Sequence, residues 1–413
     1  MSAFSQPLPG LMQQRPFVLL CVARMASTVG NQMLAVAIGW QIYAITGSAI
    51  DLGLVGLIQF VPAVVLTLLV GHAADRYDRR LIVRAALTAY ALAAVLITGG
   101  LITHTLSRDT LFAAVFMIGC ARSFELPTTH SLMPTVVPEP LLPRAVAAWT
   151  SANQFAIISG PAAGGLIYAL SPILVGAVCL LFFLTSIALV TLIKVDRPAA
   201  PREPPTLASV LAGFDYIRTR RTLLGVITLD LFVVLLGGAT ALLPIYARDI
   251  LNTGPTGLGL LRSAPAVGAF FTTLALSRYT VERNVGLKLF AVVAIFGLAT
   301  IVFSLSTYFP LSLLALALVG ASDSVSVVIR FSLVQLETPD AMRGRVNAIN
   351  YLFVGSSNTL GEFRAGVNAA EFGAVASALI GGLGSLLVAG VWMVLFPDLR
   401  HLDRFNTAGK KAT

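Results

Sequence analysis

The chain consists mainly of long apolar runs separated by short polar stretches, and this pattern limits the folds it can adopt. A helix needs about 20 apolar residues to cross the hydrocarbon layer of a bilayer. The predicted spans are 17–45, 50–71, 81–102, 110–134, 144–170, 173–193, 223–247, 257–277, 288–306, 309–335, 345–368 and 373–396. Barrel strands would instead alternate polar and apolar residues over about ten positions. The sequence therefore predicts an all-α polytopic membrane protein with twelve transmembrane helices.

Composition agrees with this fold class and argues against a soluble one. Of the 413 residues, 57% are hydrophobic and only 11% are charged, and the mean hydropathy is +0.86. The first apolar run is too long for a cleaved signal peptide, so none is expected. Cys21, Cys120 and Cys179 lie within apolar runs without paired spacing, which predicts packing residues rather than disulfides or metal ligands.

The distribution of basic residues predicts the orientation in the membrane. With twelve spans, and with residues in the first turn of a span counted with the adjacent loop, 21 of the 28 Lys and Arg fall on the side of the termini, five fall deeper within spans, and only Arg108 and Arg248 fall on the opposite side. Cytoplasmic loops carry the excess of Lys and Arg. Both termini are therefore expected in the cytoplasm. The net charge of +9 then needs no nucleic-acid partner.

A polar, proline-rich stretch divides the predicted spans into two sets of six. The prediction is a bundle over 1–193, a cytoplasmic linker over 194–222, and a second bundle with a tail over 223–413. Within the linker, apolar residues recur with helical spacing from Leu207 to Ile217, and Thr206 is available as N-cap. This pattern predicts an amphipathic helix on the inner membrane surface.

The two predicted bundles repeat each other in sequence. At an offset of 201, Gly119, Ser123, Ser131, Leu132, Pro138, Arg144 and Ala147 meet identical residues in the second half. At an offset of 203, Ile42-Tyr43-Ala44 meets Ile245-Tyr246-Ala247. Such internal repeats are typical of secondary transporters, which move solutes between two pseudo-symmetric helical bundles.

A charged stretch between the second and third spans carries a motif with the spacing G-x-x-x-D-R-x-x-R-R. Its residues are Gly71, Asp75, Arg76, Arg79 and Arg80. Taken alone, the stretch could be a solvated basic loop at a helix end. The spacing resembles the loop between helices 2 and 3 of major facilitator superfamily transporters. That resemblance implies that Asp75 meets the start of span 11 and steadies one conformation.

The fifth span contains a second motif, G-P-x-x-G-G, formed by Gly160, Pro161, Gly164 and Gly165. Transmembrane helices use Gly and Pro freely, so ordinary helix packing is one interpretation. The run also resembles the antiporter motif of the same superfamily, which implies export. It departs from the longer family pattern because Ala156 stands where an earlier glycine is usual.

The counterpart of this motif in the second half, 361–366, keeps the flanking glycines but contains an acid and a base, Glu362 and Arg364. The surrounding sequence, ending in Phe396-Pro397-Asp398-Leu399-Arg400, resembles the drug:proton antiporters that include enterobactin exporters and macrolide efflux pumps. This resemblance implies a monomeric exporter in the bilayer that couples a small-molecule substrate to protons.

Charged residues inside the spans are candidates for proton coupling or for the substrate cavity, because each is costly in a bilayer. They include Arg122, Glu125, Asp323, Arg330, Glu362 and Arg364, with Asp230 a weaker candidate. Helical spacing allows Arg122 to pair with Glu125, and Asp323 to pair with Arg330. Static ion pairs that fix helix rotation are the alternative interpretation.

The sequence favours a secondary exporter of a small organic molecule, and the substrate stays open between a siderophore and an amphiphilic drug. A proton-linked importer would have the same fold. A membrane enzyme is a further alternative, but no catalytic grouping lies at one membrane depth. No cofactor is expected: the four histidines share no metal-ligand spacing, and an ATP-binding motif is absent.

Overall fold

The structure is a computed structural model, and it describes residues 10–66, 76–193, 207–279 and 283–405. These residues form helices and short connections and contain no strand. Thirteen helices matter for function: α1 (Arg15–Thr46), α2 (Ala49–Val65), α3 (Arg79–Ile102), α4 (Arg108–Leu132), α5 (Leu142–Leu170), α6 (Pro172–Thr191), α7 (Leu207–Thr219), α8 (Arg221–Gly237), α9 (Gly254–Arg278), α10 (Val285–Leu305), α11 (Phe309–Glu337), α12 (Asp340–Phe372) and α13 (Ala374–Leu395).

The helices outside α7 coincide with the twelve predicted spans. In the described residues, nine helical segments are long and apolar enough to cross a membrane, and α2 is a shorter apolar helix. The remaining two, α5 and α12, have sufficient length but carry more polar side chains. They occupy equivalent positions in the two sequence repeats. The all-α, multi-spanning prediction is therefore confirmed, and the helices fit a count of twelve.

The chain forms two compact units, Met1–Ala37 with Val61–Glu203, and Ile38–Phe60 with Pro204–Thr413. In the first unit, Tyr90 of α3 and Phe183 of α6 are fully buried, with ring centroids 5.5 Å apart. In the second unit, the core joins α8, α10, α11 and α13. The segment Ile38–Phe60 groups with the second unit, whereas the sequence repeat assigns it to the first bundle. The predicted bundle boundaries stay a prediction.

The seventh predicted span, 223–247, is not one uninterrupted helix. Helix α8 ends at Gly237, and Gly238 adopts a left-handed conformation with φ of 50°. A 3-10 turn over Ala239–Leu242 follows, and then a π-helical turn over Tyr246–Ile250. The break occurs at Gly238 because glycine enters the left-handed region without steric cost. Discontinuous membrane helices are typical of transporter binding sites.

Helix α7 lies where the sequence predicts an amphipathic helix, and one of its apolar residues packs on protein. Ile217 is only 1% exposed and packs with Leu223, Val334 and Ile349 of the second unit. The Tyr216 hydroxyl donates a hydrogen bond of 3.1 Å to the carbonyl of Glu337 at the end of α11. The predicted lipid contact is therefore wrong for Ile217, because the ends of α8, α11 and α12 offer an apolar protein surface.

Candidate transport site

A cavity of about 180 Å³ lies inside the second unit, beside the break that follows α8. Apolar side chains such as Phe296 and Leu316 form most of its wall. Its polar side chains come from separate helices and include Asp323 of α11 and Glu362 of α12. A mostly apolar cavity with a few converging polar groups is typical of a small-molecule site. Both acids had been selected from the sequence.

Glu362 lies where several chain segments come close together. Its Oε1 accepts a hydrogen bond of 3.3 Å from the Thr240 hydroxyl, in the turn after α8. A Cβ atom placed on Gly56 of α2 would lie 2.7 Å from Glu362 Oε2, so a side chain there would require the carboxylate to shift. Arg262 of α9 interacts electrostatically with the same carboxylate. Glu362 therefore has both a hydroxyl donor and a nearby cation.

Arg364, a candidate for proton coupling or the substrate cavity, donates in the structure to backbone carbonyls of another helix. Its Nε donates to the carbonyl of Leu235 at 3.0 Å, and one terminal nitrogen donates to the carbonyl of Leu236. The last carbonyls of a helix lack intrahelical partners, and a cation at that end is favourable. Arg364 therefore caps α8 at the break, which is a structural reason for a base in this position.

In the first unit, the buried carboxylate of Glu125 on α4 forms an ion pair with Arg24 on α1. The side chains of Glu125 and Arg24 are 3% and 14% exposed. Tyr90 of α3 lies within electrostatic range of this pair and of Arg122. The sequence analysis considered Arg122 as the partner of Glu125 and gave Arg24 no role. The buried charged residues of α4 thus have a partner on α1.

In the second unit, Arg330 of α11 bridges two acids. It forms a close ion pair with Asp230 of α8, and its other terminal nitrogen lies 3.6 Å from Asp323 Oδ1. The predicted pairing of Asp323 with Arg330 within one helix is therefore present, but it is the longer contact. Asp230 is 7% exposed at its side chain, whereas that of Asp323 is 49% exposed.

Each half of the sequence repeat has an ion pair between its first and fourth spans with the charges reversed, although Asp230 and Arg330 lie three and four residues beyond the positions aligned with Arg24 and Glu125. In the first half, the first helix carries the cation Arg24 and the fourth carries the acid Glu125. In the second half, the first helix carries the acid Asp230 and the fourth carries the cation Arg330. Each half of the chain thus joins the first and fourth of its six spans through one buried ion pair. No single helix shows this relation in its sequence.

The charged motif before α3 is described from Arg76 onward, and Gly71 and Asp75 lie outside the described residues. Arg76 is exposed. Arg79 donates to the carbonyl of Ser131 at the end of α4, at 3.2 Å. Arg80 donates to the carbonyl of Ile193 just after α6, at 2.9 Å. These arginines therefore join the start of α3 to the ends of two neighbouring helices.

Arg80 also forms an ion pair with Asp78, with a shortest distance of 2.7 Å. The hydrogen bonds from this guanidinium lower the pKa of Asp78, the N-cap residue of α3. The motif thus has a clear structural role in the first unit: it caps helix ends with cations and begins α3.

The glycine motif of α5 faces α1. Gly160, Pro161, Gly164 and Gly165 are all buried. A Cβ atom on Gly164 would lie 2.7 Å from the Cα of Met33, and one on Gly160 would lie 2.6 Å from the Cβ of Gln32. Since these distances leave no space for a side chain, the motif allows the two helix backbones to approach closely.

Gly164→Ala is expected to destabilise the protein, because the new methyl group would meet the α1 backbone rather than a movable side chain. Overpacking of this kind costs about 1–3 kcal/mol. The measurement is the midpoint of thermal unfolding of the detergent-purified protein. Gly99→Ala is the matched control, because a Cβ atom on Gly99 has no neighbour within 4 Å. Equal midpoints for the two variants would contradict the packing role.

Three features of the site escaped the sequence analysis. The break after α8 had a signal in Gly237-Gly238 and Pro244 inside a predicted span. Arg262 and Arg24 were counted as charges within spans, but nothing local indicated their partners. Each partner is more than 90 positions away along the chain, so only the tertiary structure brings them together.

Comparisons with known proteins identify the family. The profile of the family described as transmembrane secretion effector matches residues 6–412. The enterobactin exporter EntS of Shigella dysenteriae serotype 1 (strain Sd197) is 26% identical over 391 residues, which cover 93% of this chain and 92% of that protein. EntS of Escherichia coli (strain K12) matches with the same identity and coverage.

Solved structures share the fold at low sequence identity. A bacterial homologue of the human lysosomal transporter Spinster aligns with a TM-score of 0.72 and 12% identity, covering 95% of this chain and 97% of that chain. A bacterial homologue of the iron transporter ferroportin aligns with a TM-score of 0.70 and 18% identity, covering 93% and 99%. With the family match, these likenesses lead to one conclusion: the chain belongs to the transmembrane secretion effector family of the major facilitator superfamily, and it is a multi-pass membrane transporter.

Proposed function

We propose that this transporter exports a small organic molecule from the bacterial cytoplasm in exchange for protons. The observation that carries the proposal is the position of Glu362, a carboxylate on a membrane helix in the wall of a cavity. An acid inside a bilayer is costly and is usually functional. Relatives named as enterobactin exporters support the direction of transport.

Coupling requires an acid that alternates between a charged state stabilised by a partner and a neutral, protonated state. Arg262 and Thr240 stabilise the charged state of Glu362. The apolar cavity wall favours the neutral state, because a carboxylate loses its hydration there. Movement of α9 relative to α12 would shift the balance between these states and so take up or release a proton.

The proposed cycle is alternating access between the bundles 1–193 and 223–413, joined by the linker 194–222. A ligand shifts such an equilibrium by its different affinities for the two states. Asp75, Arg79 and Arg80 are proposed to stabilise one of these states, in keeping with the family motif. The buried ion pairs Arg24–Glu125 and Asp230–Arg330 hold the first and fourth helices of each unit together during the movement.

A proton-linked importer remains the second candidate, because the same site would serve either direction. The glycine motif of α5, which resembles the antiporter motif, favours export. A membrane enzyme is a weaker candidate, since the relatives and structural neighbours named above are transporters. The bacterial inner membrane is the proposed location.

Everted membrane vesicles test the proposal directly. Compounds from a panel of siderophores and antibiotics that bind the purified protein are offered to vesicles whose interior is made acidic. An exporter is expected to accumulate the bound compound inside these vesicles, and a protonophore is expected to stop the accumulation. Accumulation that resists the protonophore would refute proton coupling, whereas accumulation only in right-side-out vesicles would establish an importer.

The orientation of the chain gives a separate prediction. Reporter fusions after Asp78, Arg202 and Arg404 are expected to report the cytoplasm, because Lys and Arg concentrate on that side. A fusion after His104 is expected to report the periplasm. A cytoplasmic signal at His104, or a periplasmic signal at Arg202, would contradict the twelve-span topology.

A further inference from the structure

We infer that the cavity of the second unit binds the positively charged, apolar end of a transported compound, such as an ammonium group on a hydrocarbon or aryl body. This inference rests on the proposed export function and specifies the chemical class of its substrate. It concerns one cavity whose lining residues all belong to the second unit.

The charge of the cavity wall is the first reason. The polar side chains that line it belong to Asp323, Glu362, Asn358, Thr240 and Thr300. Two of these are acids, and the described lining residues include no Lys, Arg or His. An anionic compound would face these carboxylates in an environment of low dielectric constant, where like charges repel strongly. A cation would be attracted to both of them.

The accessibility of the Asp323 carboxylate is the second reason. Its side chain is 49% exposed although it faces a cavity among helices, so a ligand has access to the carboxylate. Arg330 lies at 3.6 Å from it and is held more closely by Asp230. Asp323 therefore keeps accessible acceptor capacity that an ammonium group would use.

The apolar part of the cavity wall is the third reason. Phe296 and Phe303 present aromatic side chains, and Leu316 and Val319 present aliphatic ones. Aromatic rings attract cations and also bury hydrocarbon. A Cβ atom on Gly237, which also lines the cavity, would lie 3.6 Å from the Phe296 ring, an ordinary van der Waals distance. The cavity thus accommodates an apolar body together with a charged head.

Two nearby arginines reduce the net negative charge at the cavity, although neither of them is a lining residue. Arg262 offsets part of the charge of Glu362, and Arg364 is occupied by the carbonyls of Leu235 and Leu236. Asp323, with its longer contact to Arg330, is therefore the acid that the ligand cation meets. Glu362, which contacts Thr240 and Arg262, is the acid that serves the proton in the proposed cycle.

Three probes of matched shape test this inference: 4-phenylbutylamine, 4-phenylbutanol and 4-phenylbutyrate. Binding is measured by calorimetry on the full-length protein in detergent. The amine is expected to bind at least about tenfold more tightly than the alcohol, a difference of about 1.4 kcal/mol. The butyrate is expected to bind more weakly than the alcohol. Equal or tighter binding of the butyrate would overturn the inference.

Two variants locate the site. Asp323→Asn is expected to weaken amine binding about tenfold and to leave alcohol binding unchanged, because only the charge is lost. Gly237→Ala is expected to weaken both probes about equally, because its methyl group takes space from the cavity without a clash. Asp215→Asn, at an exposed acid of α7, is the control and is expected to change neither.

The outcomes separate this inference from the proposed function. Amine binding that is unchanged in Asp323→Asn would reject the cation site. If Asp323→Asn does not fold, unchanged amine binding in Gly237→Ala would reject it. Protonophore-sensitive accumulation of another compound by a protein that does not bind the amine would reject the substrate class and keep export. Tight amine binding without accumulation in everted vesicles would keep the site and reject export.

Discussion

Glu362→Gln is expected to abolish efflux driven by a pH gradient while retaining exchange of substrate across the membrane. The amide preserves the size of the side chain and its acceptor for the Thr240 hydroxyl, but it never releases a proton. The site is therefore held in a state that mimics the protonated acid. The measurement compares gradient-driven accumulation with exchange of labelled substrate in proteoliposomes at equal pH on both sides.

Glu371→Gln is the matched control, because this acid is exposed near the end of the same helix. It is expected to leave both activities unchanged. Full gradient-driven accumulation by Glu362→Gln would reject its role in coupling. Loss of folded protein in Glu362→Gln, with Glu371→Gln unaffected, would instead favour a static role for Glu362 in helix packing.

Arg24→Met is expected to destabilise the first unit strongly, because it leaves the buried carboxylate of Glu125 without its partner on α1. Removing one member of a buried ion pair costs about 3–5 kcal/mol. The double variant Arg24→Met with Glu125→Gln is expected to recover much of this loss, since no buried charge remains. The measurement is the yield of monodisperse protein and the midpoint of its thermal unfolding.

Arg404→Met provides the comparison for this prediction, because Arg404 and Asp403 form an ion pair in which both side chains are more than half exposed. Exposed pairs contribute about 0–1 kcal/mol. A similar loss in Arg24→Met and Arg404→Met would contradict the importance of burial. A double variant less stable than Arg24→Met would show that the pair itself, and not the unpaired charge, decides stability.

The two ion pairs have reversed charges in the two halves of the chain. An ion pair links the first and fourth spans in both halves of the chain, yet Arg24–Glu125 and Asp230–Arg330 place the acid on opposite members. Electrostatic attraction does not depend on which helix carries which sign. A duplicated fold therefore keeps the helix contact while its individual residues diverge, which makes such pairs hard to find by aligning the repeats.

The sequence by itself determined the all-α, multi-spanning fold and the approximate positions of the described helices. Hydrocarbon thickness sets the length of each apolar run, so local composition is sufficient for these features. It also selected Glu125, Asp323 and Glu362, because a charge within an apolar run is visible without any partner. The family motifs at 71–80 and 160–165 likewise depend on short, local spacing.

The tertiary structure alone decided how these charges are used. Arg364 caps the carbonyls of Leu235 and Leu236 instead of meeting an acid, and Glu125 pairs with Arg24. Ile217 packs on the second unit rather than on lipid. In each case the partner lies on another helix, and the rotation of one helix against its neighbour comes from packing of whole surfaces. Local sequence patterns contain the periodicity of a helix, but not the identity of the helix that it faces.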